Sequence, residues 1–415
     1  MAEGGAASDA DQRSWIGWTN VVVAAVIMLA TLPGRTQGLG LITEPMLRDL
    51  QLDRVLYANI NLWATLIGAA VCLPIGRLLD RFGLRATTFV LTALLAVVVW
   101  SMSRISGGVV LLFVLVLATR ALGQSALSVA SITTVGKSFD RQVGVAMGVY
   151  AVLLSVLFAA AFIAVGGVVR VSGWRTAWAQ VAFALAVIVA PIVLVFLREP
   201  VGPPVPAPDS AGSVGDGLSL AAALRTPAFW VFGGGTSLFG LVSSGLGLFN
   251  EAVLAERGFD QQTYVTFLAG TSIIALVGQL GCGWLTLRWS MQRLLGLSMF
   301  IYGAALAVLP VLSTRPQLWI FAALMGLSGG MITVIFFAVW RRAFGHAHLG
   351  RIQGAAQMLT VLASAIGPVI FAQCAALTGS YTPALWTLAL CVLALSAAAL
   401  RVSLPRVGLA PAAST

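Results

Sequence analysis

Charged residues are scarce in this chain, and their scarcity excludes a water-soluble fold. Only 9% of the 415 residues are charged, whereas 59% are hydrophobic and the mean hydropathy is +0.97. A soluble protein of this length needs far more charge to cover its surface, so lipid must surround most of the chain. The sequence therefore predicts an integral membrane protein.

Other chemistry-bearing features are also missing. The four cysteines lie in apolar segments with neither a disulfide framework nor metal-ligand spacing. No Walker-type phosphate loop, nucleophile–base pair or metal cluster is present, so we expect no enzyme, no cofactor and no use of ATP. The 24 basic residues are scattered singly, which argues against nucleic acid. His346 and His348 share one predicted loop and are interpreted as surface residues. The N-terminus lacks a basic n-region, so the first apolar stretch should remain in the mature protein.

Long apolar stretches are abundant, and each is long enough to cross a bilayer as a helix. Their apolar runs are continuous and do not alternate, which favours helices over a barrel. The twelve predicted spans are 17–44, 56–78, 86–104, 108–134, 143–169, 173–197, 227–252, 263–287, 293–313, 317–341, 352–377 and 383–400.

The chain divides into two halves that resemble each other. A Pro-, Gly- and Ser-rich stretch predicts a cytoplasmic linker at 198–226, between an N-terminal bundle (1–197) and a C-terminal bundle with a short tail (227–415). The heptad GLGLITE at Gly38–Glu44 recurs as GLGLFNE at Gly245–Glu251, 207 positions later. Six spans per half give both halves the same topology. The excess of Lys and Arg on one side predicts a cell-membrane protein with both termini in the cytoplasm.

The loop between the second and third spans reads GRLLDRFGLR, from Gly76 to Arg85. It resembles the signature of the major facilitator superfamily. The resemblance implies an all-α fold of twelve transmembrane helices in two pseudo-symmetric six-helix bundles. It also implies that Asp80, Arg81 and Arg85 form a charge network that locks the halves on the cytoplasmic side. A plain basic loop is the alternative, and the second copy carries Leu287 where the Asp would be.

Four shorter motifs resemble the monocarboxylate and oxalate/formate-porter branch of that superfamily. They are RALGQ at 120–124, GWR at 173–175, LRTPAFW at 224–230 and AIGP at 365–368. The resemblance implies a small, monocarboxylate-like organic anion as substrate. Spans eight and eleven lack the charged residues that members of this branch carry there.

Two arginines, Arg35 and Arg120, fall inside predicted spans, and no Asp or Glu lies deep enough in a span to neutralise them. A charge near the bilayer centre costs a few kcal/mol, so it normally faces a cavity or a partner. An anionic ligand would supply the missing charge, because a guanidinium can hold a carboxylate with two parallel hydrogen bonds. Alternatively, Arg120 is a structural residue bonded to neighbouring carbonyls, and Arg35 snorkels outward or pairs with Glu44. Pro33-Gly34 is expected to break the first helix beside Arg35.

Glu44 and Glu251 close the two heptads at the predicted outer ends of spans one and seven. They are candidates for an outer gate or for binding a coupling proton, or they are solvated carboxylates at the rim. Weaker candidates for the wall of the substrate path are Gln37, Asn61, Gln124 and Gln279.

The sequence thus predicts a secondary active or facilitative transporter, working by alternating access as a monomer in the lipid bilayer. Two alternatives stay open at this point. One is an exporter of hydrophobic or drug-like compounds, and the other is a transporter-like sensor that moves nothing.

Overall fold

The computed structural model describes residues 3–70, 75, 78–79, 81–139, 143–199, 218–345 and 349–405. Nearly all of them are helical, and no β-strand occurs in these ranges. The all-α prediction is therefore confirmed. Asp80, His346 and His348, and most of the proposed linker, lie outside the described residues.

Fifteen α-helices can be followed along the described residues, and we number them in chain order. They are α1 (Glu3–Ala30), α2 (Thr36–Asp49), α3 (Arg54–Ala70), α4 (Leu84–Ser103), α5 (Val109–Thr119), α6 (Ser128–Ser138), α7 (Val143–Ala184), α8 (Ala190–Phe196), α9 (Leu220–Leu224), α10 (Pro227–Ala255), α11 (Gln261–Leu285), α12 (Met291–Val308), α13 (Arg315–Phe344), α14 (Leu349–Thr378) and α15 (Thr382–Arg401). Two π-helical segments, Arg120–Leu127 and Leu185–Val189, join α5 to α6 and α7 to α8.

Nine helical stretches in the described residues are long and apolar enough to cross a membrane. One of them, Val145–Phe196, has 52 residues, far more than the roughly 20 that a bilayer requires. Gly173 divides it, since its φ of 82° lies in the left-handed region that favours glycine. With this division, and with the shorter helices of the first 70 residues, the structure is consistent with twelve spans.

The described residues form two compact units. The first comprises Met1–Pro203 with Gly247–Ala252 and Asp260–Ala269, and the second comprises the remainder. In the first unit, Val21, Ala24 and Ala25 of α1 form a buried core with Val135 and Ala146 and their neighbours. The alanines at these positions let helix backbones approach closely, which is how helices associate in lipid.

In the second unit, α12 and α15 pack through glycines. A Cβ on Gly296 would lie 2.6 Å from Leu400, and one on Gly303 would lie 2.8 Å from Leu393. The Ser396 hydroxyl also donates to the Gly296 carbonyl at 2.7 Å. The close contact between the two helices therefore requires glycine at both positions, because any larger residue would clash.

An acidic residue fastens the end of α2 to the helix that follows Gly173. Asp49 accepts hydrogen bonds from the indole N–H of Trp174 at 3.0 Å and from Nε of Arg175 at 2.9 Å. Nη1 of Arg175 also donates to the carbonyls of Ser103 and Ile105, at the end of α4. Arg175 thus binds carbonyls at a helix C-terminus that have no hydrogen-bond partner within the helix, and it connects three helix ends.

The second unit repeats this contact. Glu256, 207 positions after Asp49, accepts from the Ser380 hydroxyl at 3.1 Å, at the start of α15. A glycine with positive φ precedes the contacted residue in both units: Gly173 at 82° and Gly379 at 74°. The duplication therefore extends from the sequence to specific side-chain contacts.

Candidate functional site

The first membrane helix is broken at its centre. After α1 the chain makes a 3₁₀ turn at Leu32–Gly34 and is extended at Arg35 (φ −87°, ψ 150°) before α2 begins. Pro33 has no N–H to continue a helix. Gly34 permits close backbone contact, because a Cβ there would lie 3.1 Å from the Cα of Gly123. The predicted break at Pro33-Gly34 is confirmed.

Arg120 opens the π-helical segment and points at this break. Its side chain is buried, with 2% of the residue exposed. Nη1 donates to the Gly34 carbonyl (3.2 Å), the Thr36 hydroxyl (3.0 Å) and Oε1 of Gln124 (2.6 Å), and Nη2 donates to Oδ1 of Asn61 (2.8 Å). All four acceptors are neutral, and no carboxylate of the described residues lies within ion-pair distance.

One edge of the Arg120 guanidinium is incompletely used. Its Nε is buried and has no hydrogen-bond partner among the described residues. Arg54 shows what this edge can bind, since its Nε and Nη2 hold the two carboxylate oxygens of Glu44 at 3.1 and 2.7 Å. On Arg120, Nη2 donates to the amide oxygen of Asn61, and the adjacent Nε has no acceptor among the described residues.

Arg35 turns to another side of the broken helix. Its Nε donates to the Thr31 hydroxyl at 2.7 Å, and its Nη2 reaches the Met28 sulfur at 2.7 Å and the Ser128 hydroxyl at 3.4 Å. The guanidinium carbon lies 5.4 Å from the centre of the Phe158 ring. A thioether is a weak acceptor, so this half-buried charge is also surrounded by weak or neutral partners.

Glu44 is not a solvated rim carboxylate. Only 3% of the residue is exposed, because Arg54 binds both oxygens and Arg48 lies 3.9 Å away. The alternative in which Glu44 pairs with Arg35 is therefore wrong as well.

The remaining predicted residues do not all gather around the arginines. Gln37 lies near Gly247, whose Cβ would be 3.6 Å from the Gln37 side chain. Glu251 belongs to the first unit, as Glu44 does, whereas Gln279 belongs to the second. Their part in a substrate path stays a prediction.

The proposed charge network is described only in part. Asp80 lies outside the described residues, and Arg81 is exposed with its guanidinium 5.4 Å from the Phe82 ring centre. The backbone N–H of Arg85 donates to Oε1 of Glu199 at 2.8 Å. Glu199 therefore caps the N-terminus of α4 beside the signature loop, a role that the sequence reasoning missed.

Thr36 and Tyr264 were also missed. Thr36 had a signal, since it directly follows the helix-breaking pair and Arg35. Tyr264 follows Tyr57 by 207 positions, so continuing the comparison for 13 residues beyond each heptad would have found it.

The geometry defines a helical membrane protein with uncompensated positive charge beside a broken helix. The profile of the Major Facilitator Superfamily matches residues 21–368, and the chain belongs to that family. It is therefore a multi-pass membrane transporter that works by alternating access, and it is not an enzyme. The resemblance of the signature loop to this superfamily is confirmed.

One curated relative is monocarboxylate transporter 13 of Rattus norvegicus. The two proteins are 28% identical over 133 residues, which cover 32% of this chain and 31% of the rat protein. The match thus spans less than a third of that relative.

Two solved structures of a bacterial homolog of the human lysosomal transporter Spinster share the fold. The inward-facing, unoccupied form matches with a TM-score of 0.69 at 15% identity, covering 94% of both chains. The inward-facing, occupied form matches with a TM-score of 0.63 at 14% identity, covering 92% of this chain and 93% of the other.

Proposed function

We propose that this transporter carries a small organic anion with a carboxylate group, and that Arg120 is its principal counter-charge. The observation that carries the proposal is the buried Nε of Arg120, which has no partner in the described residues, beside an Nη2 held by one amide oxygen. A carboxylate is the group that fits two parallel N–H donors on one edge of a guanidinium.

The neutral acceptors around Arg120 position the side chain without cancelling its charge. Gly34, Thr36 and Gln124 accept hydrogen bonds from Nη1. These bonds fix the orientation of the opposite edge of the guanidinium, which is formed by Nε and Nη2. A hydrogen bond to a charged group contributes about 1.5–3 kcal/mol of binding free energy. An anion at this edge should therefore bind more tightly than a neutral molecule of the same shape. The partial similarity to a protein named a monocarboxylate transporter supports the same substrate class.

Arg35 is the second counter-charge in this proposal. An anion displaces the Met28 thioether from its guanidinium at little cost, because sulfur accepts hydrogen bonds weakly. Phe158 then packs against the apolar part of the substrate. Gln37 and Gln279 are proposed to line the path, and Glu44 is assigned to structure because Arg54 neutralises it.

The remaining features of the proposal follow the sequence. They include two six-helix halves, at 1–197 and 227–415, joined by a linker at 198–226. They also include a monomer in the cell membrane with both termini in the cytoplasm. Transport is secondary active or facilitative.

The test is a binding and uptake comparison with full-length protein, first in detergent and then in proteoliposomes. Lactate and pyruvate are compared with lactamide, the neutral amide, in thermal-shift assays. We expect the two carboxylates to raise the melting temperature and the amide to have no effect. Arg120→Lys keeps the charge and loses the paired donors, so it should weaken the carboxylate effect at least tenfold.

The matched control is Arg104→Gln, which removes an exposed arginine that lies over Trp100. It should leave the carboxylate effect unchanged. Carboxylate uptake that survives intact in Arg120→Gln would refute the proposal, and stabilisation by apolar neutral compounds alone would point to the exporter of hydrophobic compounds instead.

A further inference from the structure

The duplicated ends of the first and seventh spans differ in one informative way. Three positions are compared at a spacing of 207 residues: Glu44 with Glu251, Tyr57 with Tyr264, and Arg54 with Gln261. The acid and the tyrosine are kept, whereas the arginine is replaced by a neutral residue. Ala255 likewise stands where the repeat of Arg48 would be. The second copy therefore retains the carboxylate and has lost both of its cations.

The contacts of the two carboxylates differ accordingly. Glu44 receives two hydrogen bonds from Arg54, at 3.1 and 2.7 Å. Glu251 has the neutral side chain of Gln261 nearby and, in the described part of the chain, no arginine that binds its carboxylate. One of its oxygens, Oε2, is buried and has no partner among the described residues.

A second polar group without a partner accompanies Glu251. Tyr264 is 1% exposed, and its hydroxyl makes no hydrogen bond within the described part of the chain. The tyrosine interacts electrostatically with Glu251. Gly40 leaves room for it, since a Cβ on Gly40 would lie 3.2 Å from the Tyr264 hydroxyl.

We propose that Glu251 takes up and releases a proton during the transport cycle, whereas Glu44 is held in its ion pair with Arg54. A buried carboxylate without a cation or enough donors is costly as an anion, and a proton removes that cost. The carboxylate accepts the proton from hydronium, which leaves a neutral acid and water, and returns it to water later in the cycle. The use of this proton in coupling rests on the proposed transport function, but the protonation itself does not.

The surroundings favour a proton over a metal ion. Sodium and divalent cations need several oxygen ligands, and here one carboxylate oxygen and one phenol are available. No group of three or more acidic, histidine or cysteine side chains that could hold a metal occurs in the described residues.

Within the described ranges, the charged and titratable groups that face Glu251 are few. Glu44 and Arg48 face it from α2, and Tyr264 faces it from α11. Arg48 is 79% exposed and lies 3.9 Å from Glu44, so water and that carboxylate screen its charge. None of these groups takes the place that Arg54 holds beside Glu44.

The experiment is infrared difference spectroscopy of the purified full-length protein between alkaline and acidic pH, without substrate. The wild type should gain the carbonyl stretching band of a buried carboxylic acid on acidification. Glu251→Gln should lose that band, and Glu44→Gln should keep it. The proposal is overturned if Glu251→Gln retains the band or if Glu44→Gln removes it.

A reciprocal exchange of the cation gives a second test that does not remove either acid. Gln261→Arg supplies Glu251 with the partner that Glu44 has, and it should abolish the band. Arg54→Gln removes that partner from Glu44, and it should create a second band. An unchanged spectrum in both variants contradicts the proposal, as does a band that sodium removes at constant pH.

The outcome is separable from that of the proposed function. The infrared measurement contains no substrate, whereas the carboxylate assays test Arg120 at one pH. A Glu251 band in a protein that binds no carboxylate would uphold this inference and refute the proposed substrate.

Discussion

Asn61 offers a decisive perturbation of the proposed anion site, because its Oδ1 lies 2.8 Å from Nη2 of Arg120. The substitution Asn61→Asp places a carboxylate oxygen there without changing the shape of the side chain. The new residue is an internal mimic of the proposed substrate. It should occupy the edge of Arg120 that the substrate needs.

The magnitude follows from the contacts. Arg120 is already buried with neutral partners, so the cost of removing its charge from water is present before the substitution. Hydrogen bonds between two charged groups are roughly twice as strong as neutral ones, and the gain over the amide is on the order of 2 kcal/mol. Asn61 also donates to the Tyr57 carbonyl at 3.0 Å, but that bond is local to one helical turn and its loss costs less.

We therefore expect Asn61→Asp to melt at a higher temperature than the wild type and to bind lactate or pyruvate about 30-fold more weakly, because 1.4 kcal/mol corresponds to a factor of ten. Asn59→Asp is the matched control. It adds the same charge to α3 two residues earlier, where the Asn59 side chain donates to the Val55 carbonyl and not to Arg120.

The measurement is thermal unfolding in detergent, with and without the carboxylate. If Asn61→Asp keeps full affinity for the carboxylate, Arg120 does not bind the substrate and the reasoning fails. If both Asp variants lose affinity equally, the effect is one of total charge and the specific geometry is refuted.

Three further predictions concern the same unit. Gly34→Ala should lower stability by about 1–3 kcal/mol because its Cβ would overlap backbone atoms. Gly136→Ala lies inside α6 with open space around it, so it should leave stability unchanged or raise it by up to about 1 kcal/mol through helix propensity. Thermal melts of both variants give the comparison, and a Gly34→Ala variant as stable as Gly136→Ala would contradict the prediction. Arg175→Gln should lower the melting temperature by an amount equivalent to about 1 kcal/mol of stability. Most of this loss comes from the bonds to helix-end carbonyls, because the exposed ion pair with Asp49 contributes little. A melting temperature equal to that of the wild type would contradict this prediction. Phe158→Leu should raise the KM for carboxylate uptake a few-fold by removing an aromatic face worth about 1 kcal/mol to the Arg35 guanidinium, and an unchanged KM would exclude Arg35 from the substrate path.

The helix break and the buried arginine could be predicted because both depend on local chemistry. Pro33-Gly34 disrupts a helix wherever it occurs within one, and Arg120 lies well inside an apolar stretch. Asn61 and Gln124 were also identified, since polar side chains in predicted spans are few.

The partners of these residues could not be predicted, because they depend on how separate helices pack. The bond from Arg120 to the Gly34 carbonyl exists only because α2 starts after an extended residue, and a continuous helix would satisfy that carbonyl itself. Glu44 was misjudged for a related reason. Arg54 lies ten positions away across a turn, outside the spacing at which residues of one helix meet.

The Asp49 and Glu256 contacts have a consequence for how the protein is made. Each acid bonds to a residue of its own half, so neither contact needs the other half of the chain. A ribosome that has finished the sixth span has already supplied every atom of the Asp49 contact. The first half can therefore form the Asp49 contact during synthesis, before the seventh span enters the membrane. The second half can form the Glu256 contact when its last span emerges.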